Sequence, residues 1–257
     1  MFARAFVIAW SVFQVIIALN AELGVDATAY YHAAERIRDG LPLYVTPSPG
    51  APDDAYRYAP WWAAVWVPLT CLPEPTVYVG WMTLLLGVTA WVCWQVWRLG
   101  FEGRLLVVLL GPFLLQTSIV GNAQPLVVAL LMGAGLRWGP VAVAIAASWK
   151  LTPLAAVAVY AGRREWRRAF IALGLTALFW APALVIGLDG YPREGAGGDP
   201  SPFPLPIALG LAGLLTIAAW RYARTRYAFL IASVAMIIGL PRMHDYNATF
   251  TLTGLRQ

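Results

Sequence analysis

The sequence predicts an all-α integral membrane protein, a polytopic bundle of about nine crossing helices built as one transmembrane domain over residues 1–257. Three observations carry this. Sixty percent of the residues are hydrophobic and only 12% charged, where a soluble domain carries about a quarter charged residues. The apolar residues come in long uncharged blocks, many near the roughly 20 residues that cross a hydrocarbon core. Period-two alternation is absent, and lipid offers backbone groups no partner, so helices rather than a barrel must carry the blocks.

The first apolar run, 5–20, follows Arg4. Its basic start and the small Ala18 and Ala21 also suit a signal peptide, but the further spans favour an uncleaved first helix. Residues 21–59 form the one long polar stretch, an expected extracytoplasmic loop. Within it, 27–38 suits a short amphipathic surface helix ended by Asp39-Gly40. Pro47, Pro49, Gly50 and Pro52 then enforce irregular chain. A connection of this length in a compact protein points to function.

Further candidate spans are 60–72, 76–97, 105–120, 125–136, 140–160, 169–188, 205–220 and 227–240. The first and the fourth of these are short, so tilted, broken or re-entrant helices are expected among them. With the N-terminus inside, Arg163, Arg164, Arg167, Arg168, Arg221, Arg224 and Arg226 all fall inside, as the positive-inside rule requires. The 21–59 loop, a second loop at 189–204 and a C-terminal segment, 241–257, fall outside with most carboxylates. Arg98 and Arg104 break the pattern. Trp61, Trp62, Trp166 and Trp220 stand near helix ends, where indoles favour the interface.

The formal charge of +5 does not indicate nucleic-acid binding, because the basic residues cluster at the ends of apolar blocks and form no stripe. Cys71 and Cys93 lie in apolar segments without metal-site spacing.

The topology gathers Asp26, His32, Glu35, Asp53, Asp54, Arg57, Arg242, His244 and Asp245 on one face. A carboxylate there can serve as a general base toward a hydroxyl. Cationic or hydrogen-bonding groups beside it can hold a phosphate and stabilise it as a leaving group. The bland reading of such loop carboxylates is solvation. Lys150, the single lysine of the chain, stands in the apolar stretch AIAASWKLTP. It is a functional candidate because an intramembrane charge is costly, while snorkelling or a structural carboxylate partner is the alternative. Pro153 loosens the helix beside it. The Gly121-Asn122-Ala123-Gln124-Pro125 turn reads as a tight helix–helix connection on the inside, opposite the carboxylates. His32, between Tyr31 and Ala33 on the surface helix, reads as interfacial packing.

Six stretches, in order, are DATAYYHAAERIRDGLPLY (26–44), YRYAPWWAAVWVPL (56–69), GNAQPLVVALL (121–131), AIAASWKLTP (144–153), GRREWRR (162–168) and HDYNATF (244–250). Together they resemble the bacterial polyprenol-phosphate-mannose-dependent α-1,2-mannosyltransferases of glycosyltransferase family 87, in the GT-C superfamily. The resemblance covers most of 20–170 and rests on the order of the motifs. It implies a GT-C-like bundle in the bacterial cytoplasmic membrane with its active site on the extracytoplasmic side. It also implies an inverting enzyme that moves a sugar, by the family name mannose, from a polyprenyl-phosphate donor to a glycolipid or glycan hydroxyl.

In such enzymes a carboxylate in the first extracytoplasmic loop deprotonates the acceptor, and Asp26 matches it. His244 matches a late motif whose histidine lies near the donor phosphate. Arg242, Lys150 and Arg57 are further phosphate candidates. The lipid-phosphate sugar serves as cosubstrate, and neither a separate cofactor nor a metal is expected. The family's GQ-type turn reads GNAQ here, and the chain is shorter than typical members after HDYNATF. The rival readings are a non-catalytic lipid-linked-sugar binder or flippase-like carrier, and a small transporter, which the lack of an internal repeat disfavours.

Overall fold

A computed structural model describes residues 2–45, 55–191, 199–200, 203–240, 242–243 and 245–254. The helices in the first half are α1 (Phe2–Leu19), α2 (Val25–Arg38), α3 (Pro60–Trp66), α4 (Glu74–Trp97), α5 (Phe101–Ile119) and α6 (Gln124–Met132). They continue with α7 (Gly139–Trp149), α8 (Ala155–Gly162), α9 (Trp166–Trp180), α10 (Ala183–Ile186), α11 (Leu205–Arg221), α12 (Ala228–Ile238) and α13 (Thr251–Gly254). Short 3-10 turns cover Val67–Cys71, Thr152–Leu154 and Asp245–Phe250. Two two-residue strands, β1 (Asp199–Pro200) and β2 (Arg242–Met243), pair antiparallel.

Proline opens several of these helices. It occupies the first or second position of α3, α4, α6, α7 and α11, where its missing N–H has no intrahelical partner to lose. Among the described residues, three helical stretches are long and apolar enough to cross a membrane: Glu74–Trp97, Phe101–Ile119 and Trp166–Ile186. Parts of α1, α7, α8, α11 and α12 are shorter apolar helices. Large apolar side chains such as Phe101, Leu184 and Val185 are more than four-fifths exposed, the signature of a surface whose solvent is lipid.

Two of the nine expected crossings do not cross. Segment 60–72 divides into α3 and a 3-10 turn that both lie against α2. The Tyr31 hydroxyl donates to the Leu72 carbonyl at 3.0 Å, and the Trp66 ring meets Tyr30 edge-on at 5.2 Å. Seven helical residues advance only about 10 Å, a third of a hydrocarbon core.

Segment 140–160 folds into a hairpin instead. Lys150 leaves α7 with extended angles, φ −144° and ψ 119°, and Pro153 has no N–H to continue the ladder to Trp149. α8 then returns, so that the Tyr160 hydroxyl donates to Ala134 O at 2.6 Å, beside the start of α7 at Gly139.

These two features offset each other. Helices α1, α5, α7, α9 and α12 run toward the end that carries α2, and α4, α6, α8 and α11 run away from it. The turns bearing Arg163–Arg168 and Arg221–Arg226 therefore share the opposite end, where Arg168 Nη2 donates to Ala134 O at 2.9 Å and Arg163 Nε to Ala223 O at 2.7 Å. The bundle thus has an α2 end and an arginine end.

Residues 245–254 insert among α5, α6 and α12, with Phe250 and Leu252 fully buried. The main core, beneath α2, is aromatic. Tyr30, Trp62, Trp66 and Trp81 meet pairwise at centroid distances from 5.1 to 6.2 Å. Trp66 is 1% exposed, so Trp66→Ala is expected to destabilise the protein by about 3–5 kcal/mol. Thermal unfolding in detergent checks this, and a melting point equal to wild type would contradict the packing described.

Candidate active site

The α5–α6 turn seats the start of α2. Gly24, at φ 74°, donates its N–H to Ile119 O at 3.1 Å, and the Asp26 N–H donates to Val120 O at 2.8 Å. Asp26 thus stands in the first turn of α2, where the helix dipole favours an anion. Gly121 makes this approach possible. It has φ 81°, and a Cβ there would stand 2.8 Å from Ala27 Cβ and 3.0 Å from Ala27 N. Gly121→Val is therefore expected to cost roughly 3 kcal/mol from left-handed strain and overpacking. It should displace Asp26 as well, read as a lower melting temperature together with loss of activity.

From Asp26 a chain of hydrogen bonds, one of them through the Gln124 backbone, crosses the site. Asn122 Nδ2 donates to Asp26 Oδ2 at 2.9 Å, while Asn122 Oδ1 accepts the Gln124 N–H at 2.9 Å. The backbone donor thus sets which end of the amide faces the carboxylate. Gln124, with no exposed surface, accepts from Lys150 Nζ at 2.8 Å through Oε1. Its Nε2 donates to Thr249 Oγ1 at 3.1 Å, and that hydroxyl donates to Tyr246 O at 2.6 Å. The Lys150 ammonium also lies 4.6 Å from the centre of the Tyr246 ring, a cation–π distance. A carboxylate and an ammonium are therefore joined through two buried amides.

Phenols line the same region. The Tyr30 hydroxyl donates to Tyr58 Oη at 3.1 Å and accepts the Ala123 N–H at 3.2 Å. Burial, then the neighbouring Tyr58 and Asp26, push Tyr30 well above the ordinary phenol range. Burial and then Asp26 do the same for Tyr58, and burial followed by Tyr58 and Asp26 for Tyr246. These hydroxyls stay protonated at neutral pH, so each keeps a proton to offer in a hydrogen bond and none serves as a base. Arg57 supplies positive charge to this cluster, acting on Tyr58, Tyr191 and Tyr246. Its backbone carbonyl accepts from the Tyr191 hydroxyl at 3.0 Å.

Of the residues singled out from the sequence, Asp26, Lys150 and Arg57 border this one cluster. For Arg242 the backbone is described, paired with Pro200. His244, Asp53 and Asp54 lie outside the described residues. His32 faces away along α2, with Nε2 3.7 Å from Glu74 Oε1. Among the described residues no three His, Cys, Asp or Glu side chains group as metal ligands.

The GNAQ turn overturns an expectation. The hydropathy pattern puts it inside, opposite the carboxylates, yet it holds Asp26. The cause is parity: with 60–72 lying along α2, one fewer crossing precedes the turn, which moves it to the α2 end. Asn122, Gln124, Tyr246 and Thr249 were missed as site residues. The available signal was two amide side chains two residues apart between apolar runs.

A family model described as glycosyltransferase family 87 matches residues 56–194. No curated protein matches the chain, and no solved structure does. The matched span holds Arg57, Asn122, Gln124 and Lys150, four of the residues around Asp26, and it covers more than half of the sequence. The chain belongs to glycosyltransferase family 87.

Proposed function

We propose that this protein is an inverting glycosyltransferase that moves a sugar from a polyprenyl-phosphate donor to a hydroxyl of a glycolipid or glycan. The observation that carries the reading is the Asp26–Asn122–Gln124–Lys150 chain, which sets a carboxylate and a cation on one site. Asp26 takes the proton of the acceptor hydroxyl. The acceptor oxygen attacks the anomeric carbon from the face opposite the phosphate, and a new C–O bond forms. The bond from that carbon to the phosphate oxygen breaks, and the lipid phosphate leaves with the bonding electrons. Lys150 and Arg57, joined by Arg242 and His244, stabilise the departing charge. Asn122 fixes the carboxylate plane. The tyrosine hydroxyls give the site neutral donors that suit sugar oxygens.

The α2 end faces the extracytoplasmic side of a bacterial cytoplasmic membrane, and the arginine turns face the cytoplasm. The charge bias of the turns supports that orientation. Mannose is the sugar by family resemblance, and no residue of the site distinguishes it from another hexose. No metal and no further cofactor enters the scheme.

The test uses purified protein in nanodiscs with radiolabelled polyprenyl-phosphate mannose and a panel of glycolipid acceptors. Transfer of label supports the reading. Donor binding without transfer to any acceptor would favour a lipid-linked-sugar carrier on the same fold. Absence of donor binding would refute the choice of donor.

A further inference from the structure

At the arginine end a cavity of about 600 Å³ opens between the α8–α9 turn and the α11–α12 turn. Arg164, Arg221 and Arg224 line it, together with Trp220, Tyr222 and Thr225. We propose that it binds the phosphate-bearing headgroup of an anionic membrane lipid.

Four features support this. The three arginines come from two turns about 60 residues apart, and among the described residues no carboxylate lines the cavity. The nearby Glu165 is engaged by Arg168 at 2.8 Å. A phosphate with its acyl chains in the bilayer supplies the missing negative charge, and guanidinium forks match phosphate oxygens.

The cavity is also preformed. Arg163 Nε donates to Ala223 O at 2.7 Å and clamps the two turns. A Cβ on Gly162 would collide with the Trp220 carbonyl, so only glycine permits this approach.

Arg164 is the one non-glycine residue with positive φ among the described residues, at 62°. Glu165 N–H donates to Tyr160 O at 2.9 Å around it, a helix ending in which glycine is usual at that position. An arginine held there at a conformational cost points to a use for its side chain.

Trp220 and Tyr222 are half-exposed. Such rings lie at headgroup depth, the level at which basic pockets between helices hold acidic lipids. Orientation bias alone explains arginines at this end, but not their convergence on one cavity.

The experiment is native mass spectrometry of delipidated protein in detergent. It is titrated with phosphatidylglycerol, cardiolipin, zwitterionic phosphatidylcholine and inorganic phosphate. The triple variant Arg164→Gln/Arg221→Gln/Arg224→Gln should bind both anionic lipids about tenfold or more weakly than wild type. A charge-matched control, Arg98→Gln/Arg137→Gln/Arg167→Gln, removes the same charge from this end outside the cavity and should stay within about twofold of wild type. Equal losses in the two variants would show a diffuse electrostatic effect and overturn the site. Phosphatidylcholine binding as tightly as phosphatidylglycerol, or inorganic phosphate binding as tightly as the lipids, would overturn its assignment to an anionic lipid. This site is separate from the Asp26 cluster, so it stands or falls independently of the proposed reaction.

Discussion

Asp26→Asn is expected to lower sugar transfer by roughly 10²–10⁴-fold, the range lost with a general base, while donor binding changes by less than about twofold. The substitution keeps side-chain volume. It also keeps the backbone bond from residue 26 to Val120 O, so α2 stays seated. The new amide oxygen accepts from Asn122 as the carboxylate does at 2.9 Å. What is lost is the group that takes up a proton. Asp39→Asn is the matched control: Asp39 sits just past the other end of α2, paired with Arg38 at 2.9 Å, and removing an exposed pair of this kind has little effect. Single-turnover kinetics beside donor-binding measurements separate the outcomes. Normal turnover by Asp26→Asn would remove Asp26 from the chemistry whatever the fold.

Lys150→Met is expected to reduce transfer by about 10²–10³-fold, the usual loss when a charge-stabilising donor is removed. The effect should appear as weaker donor use with acceptor KM little changed. A structural role makes a different prediction. The ammonium satisfies Gln124 Oε1 at 2.8 Å inside the bundle, and removing it leaves a buried acceptor exposed to a desolvation cost of about 1–3 kcal/mol.

The double variant Lys150→Met/Gln124→Leu distinguishes the two roles. Replacing both partners by apolar groups restores most of the lost stability, read as melting temperature, and leaves transfer impaired. Recovery of transfer together with stability would instead mean that Lys150 acts only as a strut for Gln124. Lys150→Arg should rescue in part, because its charge remains but its fork does not fit a single amide oxygen.

The helical membrane class was legible because it depends on composition summed over the chain. The basic end was legible for a similar reason: seven arginines stand in two short turns, and with α3 lying along α2 the α4–α5 turn that carries Arg98 and Arg104, the expected exceptions, falls at that same end. Asp26 stood out as a carboxylate just after the first apolar run, at the start of the long polar stretch; the structure begins the helix expected at 27–38 two residues earlier and so takes Asp26 into its first turn. Lys150 stood out as the one charge in an apolar stretch.

The crossings at 60–72 and 140–160 were misread because hydropathy records how much a residue avoids water. An apolar side chain avoids it equally against lipid or against another helix. Trp62 and Trp66 are as apolar packed beneath α2 as they would be in a bilayer. Length was the usable signal for the first segment, and Pro153 following the lone lysine was the signal for the second.

By itself the sequence determined an all-helical membrane protein, its basic end, its candidate base and the motif order that marks its family. These properties are additive along the chain or local to a few residues. The tertiary structure alone decided that α3 lies along α2, that α7 and α8 form a hairpin with Lys150 at its tip, and that the GNAQ turn belongs to the site. Those outcomes depend on contacts between residues far apart: Asn122 lies 96 positions from Asp26, Lys150 lies 26 from Gln124, and Thr249 lies 125 from Gln124. A buried amide takes whatever partner packing brings within about 3 Å, and no local pattern in the chain records which one that is.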